Sequence, residues 1–251
     1  NATGIGPVIG NINNVSSTAA TIVYTVTPTS AASNSCQGNP FTITVTVNPE
    51  PVGISSTPTV CSDQPFSFDP EDNMNATGGN SVTSTFAWEV TSISGTVTGV
   101  ALNATGIGSV TGNINNVSST AATIVYTVTP TSAAPNSCQG TPFTITVTVN
   151  PEPVVASQTR TVCSDAPLGV SFSSSSSVAA ATYNVTALNL NGLTVSAGDA
   201  TVANGLLATA LADDAFTNNT NTAKNVVYTI VPVSAAGCQG NSFTVTVTVK
   251  P

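Results

Sequence analysis

An all-β chain of tandem sandwich domains is what this sequence predicts, and three observations carry that reading. Its most regular segments alternate apolar and polar residues with a period of two. A long stretch recurs: Asn1–Val52 returns as Asn103–Val154, changed only at Pro7/Ser109, Ile9/Thr111, Ser33/Pro135 and Asn39/Thr141. Clusters of Pro, Gly, Asn and Ser separate the regular segments. A repeat of about 100 residues is one small domain, so the chain is an array.

The strands follow one by one. Phe143-Thr-Ile-Thr-Val-Thr-Val places Phe143, Ile145, Val147 and Val149 on one face and Thr144, Thr146 and Thr148 on the other. Phe41–Val47 and Phe243–Val249 repeat it. The strand before it, Thr123-Ile-Val-Tyr-Thr-Val, puts Ile124, Tyr126 and Val128 on one face, and Asn225-Val-Val-Tyr-Thr-Ile-Val-Pro answers it near the end of the chain. Phe66-Ser-Phe and Ser84-Thr-Phe-Ala-Trp-Glu-Val read as earlier strands. Aligning Trp88-Glu-Val-Thr-Ser-Ile with Tyr183-Asn-Val-Thr-Ala-Leu gives each full copy one central aromatic, expected between two sheets. Helix signals are poor. About seven short strands around an aromatic are the pattern of an immunoglobulin-like β-sandwich.

Boundaries are expected at Asn48-Pro-Glu-Pro51 and Asn150-Pro-Glu-Pro153, where paired prolines stiffen the joint. The expected units are an incomplete repeat over 1–50, a full repeat over 51–151 and a full repeat over 152–251. Residues 1–50 match only the back half of a copy, which suggests a window cut from a longer array. Ser173–Ser177 reads as a low-complexity loop or frayed strand.

Composition narrows the function. Arg160, Lys224 and Lys250 are the only basic residues, histidine is absent, and the net charge is −8. So few cations leave phosphates and anionic lipid surfaces without partners, which argues against nucleic-acid binding. No apolar run is long enough for a membrane-spanning helix. The five cysteines follow the repeat: Cys61 and Cys163 come early in a copy, Cys138 and Cys238 late, and Cys36 answers Cys138. One early and one late cysteine per copy predicts Cys61–Cys138 and Cys163–Cys238 bridges, with Cys36 unpaired, in an oxidising compartment.

The string Val125-Tyr-Thr-Val-Thr-Pro, Cys138-Gln-Gly and Thr148-Val-Asn-Pro-Glu-Pro resembles the PKD-like repeats of giant Bacteroidota surface adhesins, closest to gliding-motility adhesins of the SprB type. The third copy departs from it, with Thr229-Ile-Val-Pro and Val247-Thr-Val-Lys-Pro. The resemblance implies type 9 secretion, display outside the outer membrane, and a role in adhesion or motility.

Candidate sites are sparse. Without histidine there is no His-based triad, and no carboxylate constellation is shared between copies, so no enzyme and no catalytic residue is expected. Asp69-Pro-Glu-Asp-Asn73 is the one acidic cluster. Asp69, Glu71 and Asp72 are the calcium candidate, set against a solvated loop; the cluster lacks the spacing of an EF-hand, and no other metal or cofactor is expected. Gly4-Ile-Gly6-Pro-Val-Ile-Gly10 has its third glycine one position late for a dinucleotide loop and reads as a turn. Asp63 and Asp165 recur in Cys-Ser-Asp and are expected to hold a turn through side chain to backbone bonds. Thr42, Thr44 and Thr46 read as a solvent face, with an ice-binding ladder the alternative. Seven Asn-x-Ser/Thr sequons read as chance.

The expected function is a structural and adhesive stalk on the cell surface. Its partners are neighbouring repeats, laterally associating rods that pair through the uncharged Thr-Val-Thr-Val edges, and surface glycans. The alternative is a carbohydrate-binding array, which scarce exposed aromatics disfavour.

Overall fold

The computed structural model describes residues 9–31, 36–99, 105–133, 137–175 and 177–251. Gly4 and Gly6 of the glycine-rich stretch, and the sequons at Asn1 and Asn103, lie outside them.

In the first repeat, β1 (Ala20–Val26) and β2 (Phe41–Val47) form a two-stranded antiparallel sheet. The second repeat begins with β3 (Thr59–Cys61), β4 (Pro65–Phe68) and a single helical turn, α1 (Pro70–Asn75). It continues through β5 (Ser84–Ser94), β6 (Val97–Thr98), β7 (Thr105–Ile107), β8 (Val110–Asn113) and β9 (Asn115–Asn116), and closes with β10 (Ala122–Ser132) and β11 (Phe143–Asn150). The third repeat holds β12 (Gln158–Cys163), β13 (Ala180–Asn189), β14 (Thr194–Ala197), β15 (Ala203–Leu206), β16 (Ala215–Thr217), β17 (Lys224–Ser234) and β18 (Phe243–Lys250).

The second and third repeats share one plan. A five-stranded sheet runs β3-β11-β10-β5-β7 in one and β12-β18-β17-β13-β15 in the other. Short pairs lie outside it: β4-β8 and β6-β9 in the second repeat, β14-β16 in the third. In each large sheet the first strand joins the last in parallel, and the other pairings are antiparallel. The architecture is an all-β, immunoglobulin-like sandwich.

The alternation read from the sequence decides which face goes inside. Along β10 buried and half-buried residues alternate without a break, and β11 does the same. Ile124, Tyr126, Val128, Phe143, Ile145, Val147 and Val149 join Phe86, Val90, Met74, Val110 and Ile114 in one core; Phe172, Tyr183, Val185, Phe216 and Tyr228 anchor the other. At about 1.5–3 kcal/mol for each large apolar side chain buried, these rows are the main stabilising term of the second and third repeats.

The structure corrects three expectations. Tyr183 lies opposite Pro232, and the counterpart of that proline, Pro130, lies opposite Phe86. Phe86 therefore answers Tyr183, and Trp88 answers Val185. The alignment was off by two residues, a slip that keeps every side chain on its face because the strand period is two. Phe86 and Tyr183 are buried, whereas Trp88 is only half-buried, set edge-on to Tyr126.

The second correction concerns edges. The Thr-Val-Thr-Val strands β11 and β18 each have a neighbour on both sides, β10 with β3 and β17 with β12. Their ladder groups are already used, so lateral pairing of rods through these strands is not available in the second and third repeats.

The third is local. The acidic cluster forms α1 rather than a loop: Asp69 is its N-cap, accepting from the Glu71 backbone N–H at 3.1 Å, with Pro70 at the first helical position.

Candidate functional site at the inter-repeat joint

Three recurring features meet where one repeat joins the next, the first two present in all three repeats and the third in the last two. The first is an asparagine clamp. Asn116, 4% exposed, donates to the carbonyls of Thr120 and Val149, both at 2.8 Å. Its Oδ1 accepts from the backbone N–H and the hydroxyl of Ser118. Asn14 makes the same bonds to Thr18, Val47 and Ser16, and Asn218 to Thr222, Val249 and Thr220. A loop is thus tied to the end of the last strand in all three copies. These are the sequons Asn14-Val-Ser, Asn116-Val-Ser and Asn218-Asn-Thr, so three of the seven have a structural role. The Asn supplies two donors, and the Ser or Thr two residues on closes an Asx turn. Their recurrence at one place in each copy was the signal to follow.

The second feature presents the late cysteine. Ser132 donates its N–H to the Cys138 carbonyl at 2.9 Å, and its hydroxyl accepts from the Cys138 N–H at 2.9 Å. Ser234 and Cys238 repeat this at 2.9 and 3.1 Å. The Gly140 N–H donates to Pro130, and that of Gly240 to Pro232. Glycine is required there: a Cβ on Gly240 would lie 1.9 Å from the Pro153 carbonyl oxygen, and one on Gly140 2.0 Å from that of Pro51. The Cys-Gln-Gly loop therefore sits against the proline linker by which the chain enters its repeat.

The third feature presents the early cysteine at the opposite end. Cys61 closes β3 beside Asn150, and Cys163 closes β12 beside Lys250. The next two residues are fixed alike. The Ser62 N–H reaches the Asn150 carbonyl and its hydroxyl takes the Asn116 N–H; Ser164 does the same with Lys250 and Asn218. Asp63 and Asp165 follow with φ of 56° and 63°. The turn expected at Cys-Ser-Asp is present, but the bonds of the Asp165 side chain go to the hydroxyls of Thr217 and Ser164 rather than to backbone. The hydroxyls of Thr217, then Ser196 and Ser164, hold its carboxyl below the usual range.

These positions overturn the expected disulfides. Cys138 precedes β11 and Cys61 lies beside its end. Eight residues of strand separate the two poles, about 25 Å at ~3.3 Å per residue. A bridge needs Cα atoms within about 7 Å. Neither Cys61–Cys138 nor Cys163–Cys238 can close inside one repeat. Instead Cys61 bonds Cys238 of the following repeat, with Cα atoms 5.4 Å apart and 177 positions between them in sequence. Chain-entropy reasoning gives such a long loop about 5 kcal/mol of stabilisation. Each full copy does have one early and one late cysteine, but a strand pair carries the two to opposite ends of the repeat. Cys36 is exposed, at the position of Cys138 in its own copy.

The joint carries charge as well. Glu152 lies in the second linker, where Asn241 donates to it at 3.4 Å. Burial, and then the nearby charge of Asp63 across the joint, push its carboxyl pKa up. The first joint is held differently. The Asn80 side chain donates to the carbonyls of Val15, Ser16 and Glu50 and accepts from the Val52 N–H, so one amide spans the first repeat, the linker and the second repeat.

The acidic cluster is held by local contacts. Asp69 is spent on the helix cap. Burial, the leading cause, raises the Glu71 carboxyl, opposed by a bond from the Ser84 backbone. Asp69 and Asp72 line a shallow cleft of about 280 Å³ with Ser55, Phe68 and Asn73. Among the described residues, no three of His, Cys, Asp and Glu converge to hold a metal ion. Nor is any helix among them long and apolar enough to cross a membrane.

A search of the curated proteins found no match. Among solved structures, the protocadherin GammaB4 extracellular domain is similar at 10% identity and a TM-score of 0.25, over 91% of this chain and 40% of that one. Drosophila N-cadherin EC1-4 is similar at 14% identity and a TM-score of 0.29, over 84% of this chain and 52% of that one. The Bacteroides ovatus mixed-linkage glucan utilization locus SGBP-B, in complex with mixed-linkage heptasaccharide, is similar at 12% identity and a TM-score of 0.17, over 98% of this chain and 69% of that one. The chain spans less than two thirds of the two cadherin-type structures, and at these scores the likeness carries no argument about function. The PKD-like domain family matches residues 2–51, 58–153 and 160–251, nearly the whole sequence, and the chain belongs to that family.

Proposed function

We propose that this chain is a segment of an extracellular structural stalk: a row of PKD-like units, over 1–50, 51–151 and 152–251, that holds an adhesive region away from the cell surface. One observation carries the reading. Each of the last two repeats is entered at one pole and left at the other, and a covalent bridge joins the exit pole of one to the entry pole of the next. Such an array transmits tension along its length, and the bridge keeps the joint closed under load. Proline linkers and the Asn80 hydrogen bonds restrict bending further. PKD-like domains are typically extracellular, non-catalytic structural domains, which agrees with a stalk.

The resemblance to gliding-motility adhesins extends the proposal to type 9 secretion, outer-membrane anchorage and a role in adhesion or gliding, with neighbouring repeats as the partners. Solution scattering tests the stalk. Arrays of increasing copy number should show a radius of gyration that grows nearly in proportion to length. A compact particle at every length contradicts the proposal.

A glycan-binding array is the second reading. It is favoured by a groove of about 660 Å³ on the second repeat, where Trp88 packs on Gly106 beside exposed Ile107. Glycan binding by the chain that is lost with Trp88→Ala would support it. Binding unchanged by that substitution, or none, removes it.

A further inference from the structure

The Cys61–Cys238 bridge joins two positions that each recur in the chain. Cys163 stands where Cys61 stands. Both end the parallel edge strand, opposite the last residue of the strand that closes the sheet. The residue after each donates its N–H to that last residue's carbonyl at 2.8 Å, and its hydroxyl accepts from the clamp asparagine, at 2.9 Å from Asn116 and 3.0 Å from Asn218. The residue two after each has positive φ. Cys163 is thus held in the same backbone frame that aims Cys61 into the neighbouring repeat. Its thiol is exposed and forms no disulfide.

We infer that Cys163 is half of a second inter-repeat bridge, completed by a cysteine in the position of Cys238 on a PKD-like repeat docked at the exit pole of the third repeat. The inference rests on the stalk reading above, since it extends the observed joint by one unit. The partner's requirements follow from Cys238: a cysteine whose N–H and carbonyl are held by a serine, followed by Gln-Gly so that the entering linker can pass over the loop. The rule for the array is then that the early cysteine of each repeat bonds the late cysteine of the next.

The bond forms by thiol–disulfide exchange with a small-molecule disulfide such as oxidised glutathione. The Cys163 thiolate attacks the disulfide and expels one thiolate. The partner cysteine, as thiolate, then attacks the Cys163 sulfur and expels the second. The two protons lost by the protein thiols end on two molecules of reduced glutathione.

The test extends the full chain at its C-terminus with a second copy of residues 152–251. This joins Lys250-Pro251 to Glu152-Pro153 and restores a Pro-Glu-Pro linker. The extended chain is folded in a glutathione redox buffer, alkylated, digested with pepsin without reduction, and mapped by mass spectrometry. The expected result is a peptide pair linking Cys163 to the added copy's counterpart of Cys238, beside the Cys61–Cys238 pair. Cys163→Ser should abolish the first pair and leave the second. Cys163 recovered alkylated or bonded elsewhere, while Cys61–Cys238 forms, overturns this inference and leaves the stalk reading standing. Loss of both bridges removes the joint itself and overturns both.

Discussion

Phe41–Val47 and Phe143–Val149 have one sequence and two environments. Both pair with an upstream strand in the same register, Phe41 opposite Val26 and Phe143 opposite Val128. Yet Phe41 is 51% exposed and Ile43 41%, whereas Phe143 is 4% exposed and Ile145 fully buried. The hairpin is therefore local information, and its burial is not. Phe143 is covered by what precedes it in the second repeat, and Gly53 passes so close that a Cβ there would lie 2.4 Å from its ring. Alternation decides which side chains share a face; only a second layer makes that face a core.

The sharpest way to break this comparison is a matched pair of substitutions. Phe143→Ala should destabilise the second repeat by about 3–5 kcal/mol, the usual cost of removing a buried aromatic. Phe41→Ala, at an exposed position, should change stability by less than about 1 kcal/mol. Denaturant titrations measure both. Equal losses would mean that the first sheet is covered as fully as the second.

A smaller effect is expected at the clamp. Asn116→Ala leaves the buried Val149 carbonyl without its donor, at a cost of about 1–3 kcal/mol. Asn14→Ala should cost less, because the corresponding bond to Val47 is only partly buried. Identical losses would show that the clamp acts locally, independent of the surrounding sandwich.

The last two repeats differ at one buried group, and this gives the smallest effect. Tyr126 and Tyr228 occupy the same place on β10 and β17. In the third repeat the Tyr228 hydroxyl donates to fully buried Asp214 at 2.6 Å. In the second, glycine stands in the place of Asp214: Gly112, against the Phe66 ring. Burial raises the Asp214 carboxyl above its ordinary value, opposed by the Tyr228 hydrogen bond, with the charges of Asp199 and Asp213 adding to the rise. A raised carboxyl stabilises the fold below its unfolded pKa, and that contribution is lost as pH rises through the folded value. Thermal melts should therefore show the third repeat losing stability as pH rises from about 4. Asp214→Asn should flatten that slope and leave the second repeat unchanged. A slope unaltered by the substitution would place the pH dependence elsewhere, with Glu152 at the joint the next carboxylate whose burial raises it.

The legible parts of the sequence were those with a short period. The strands β10, β11, β17 and β18, their inward rows and the sandwich class all follow from alternation and repetition. What escaped depends on where the ends of strands lie in space. Sequence order points to bridges within a repeat because it does not say that Cys61 and Cys138 lie at opposite poles. Trp88 aligns with Tyr183 in sequence because two residues of slip preserve the pattern, and the bulges between β13 and β17 hide the true register. Met74 is fully buried on a single helical turn too short to show a period of its own. The asparagine clamp was visible as recurring sequons, but a sequon does not announce a buried amide.

The measurement that tests the central claim most directly is disulfide mapping of the 251-residue chain, purified without reductant and digested at low pH. The account predicts a peptide pair joining Cys61 to Cys238, the exit pole of one repeat to the entry pole of the next. Recovery of Cys61–Cys138 or Cys163–Cys238 pairs would contradict it, because those bridges require each repeat to bring its two ends together.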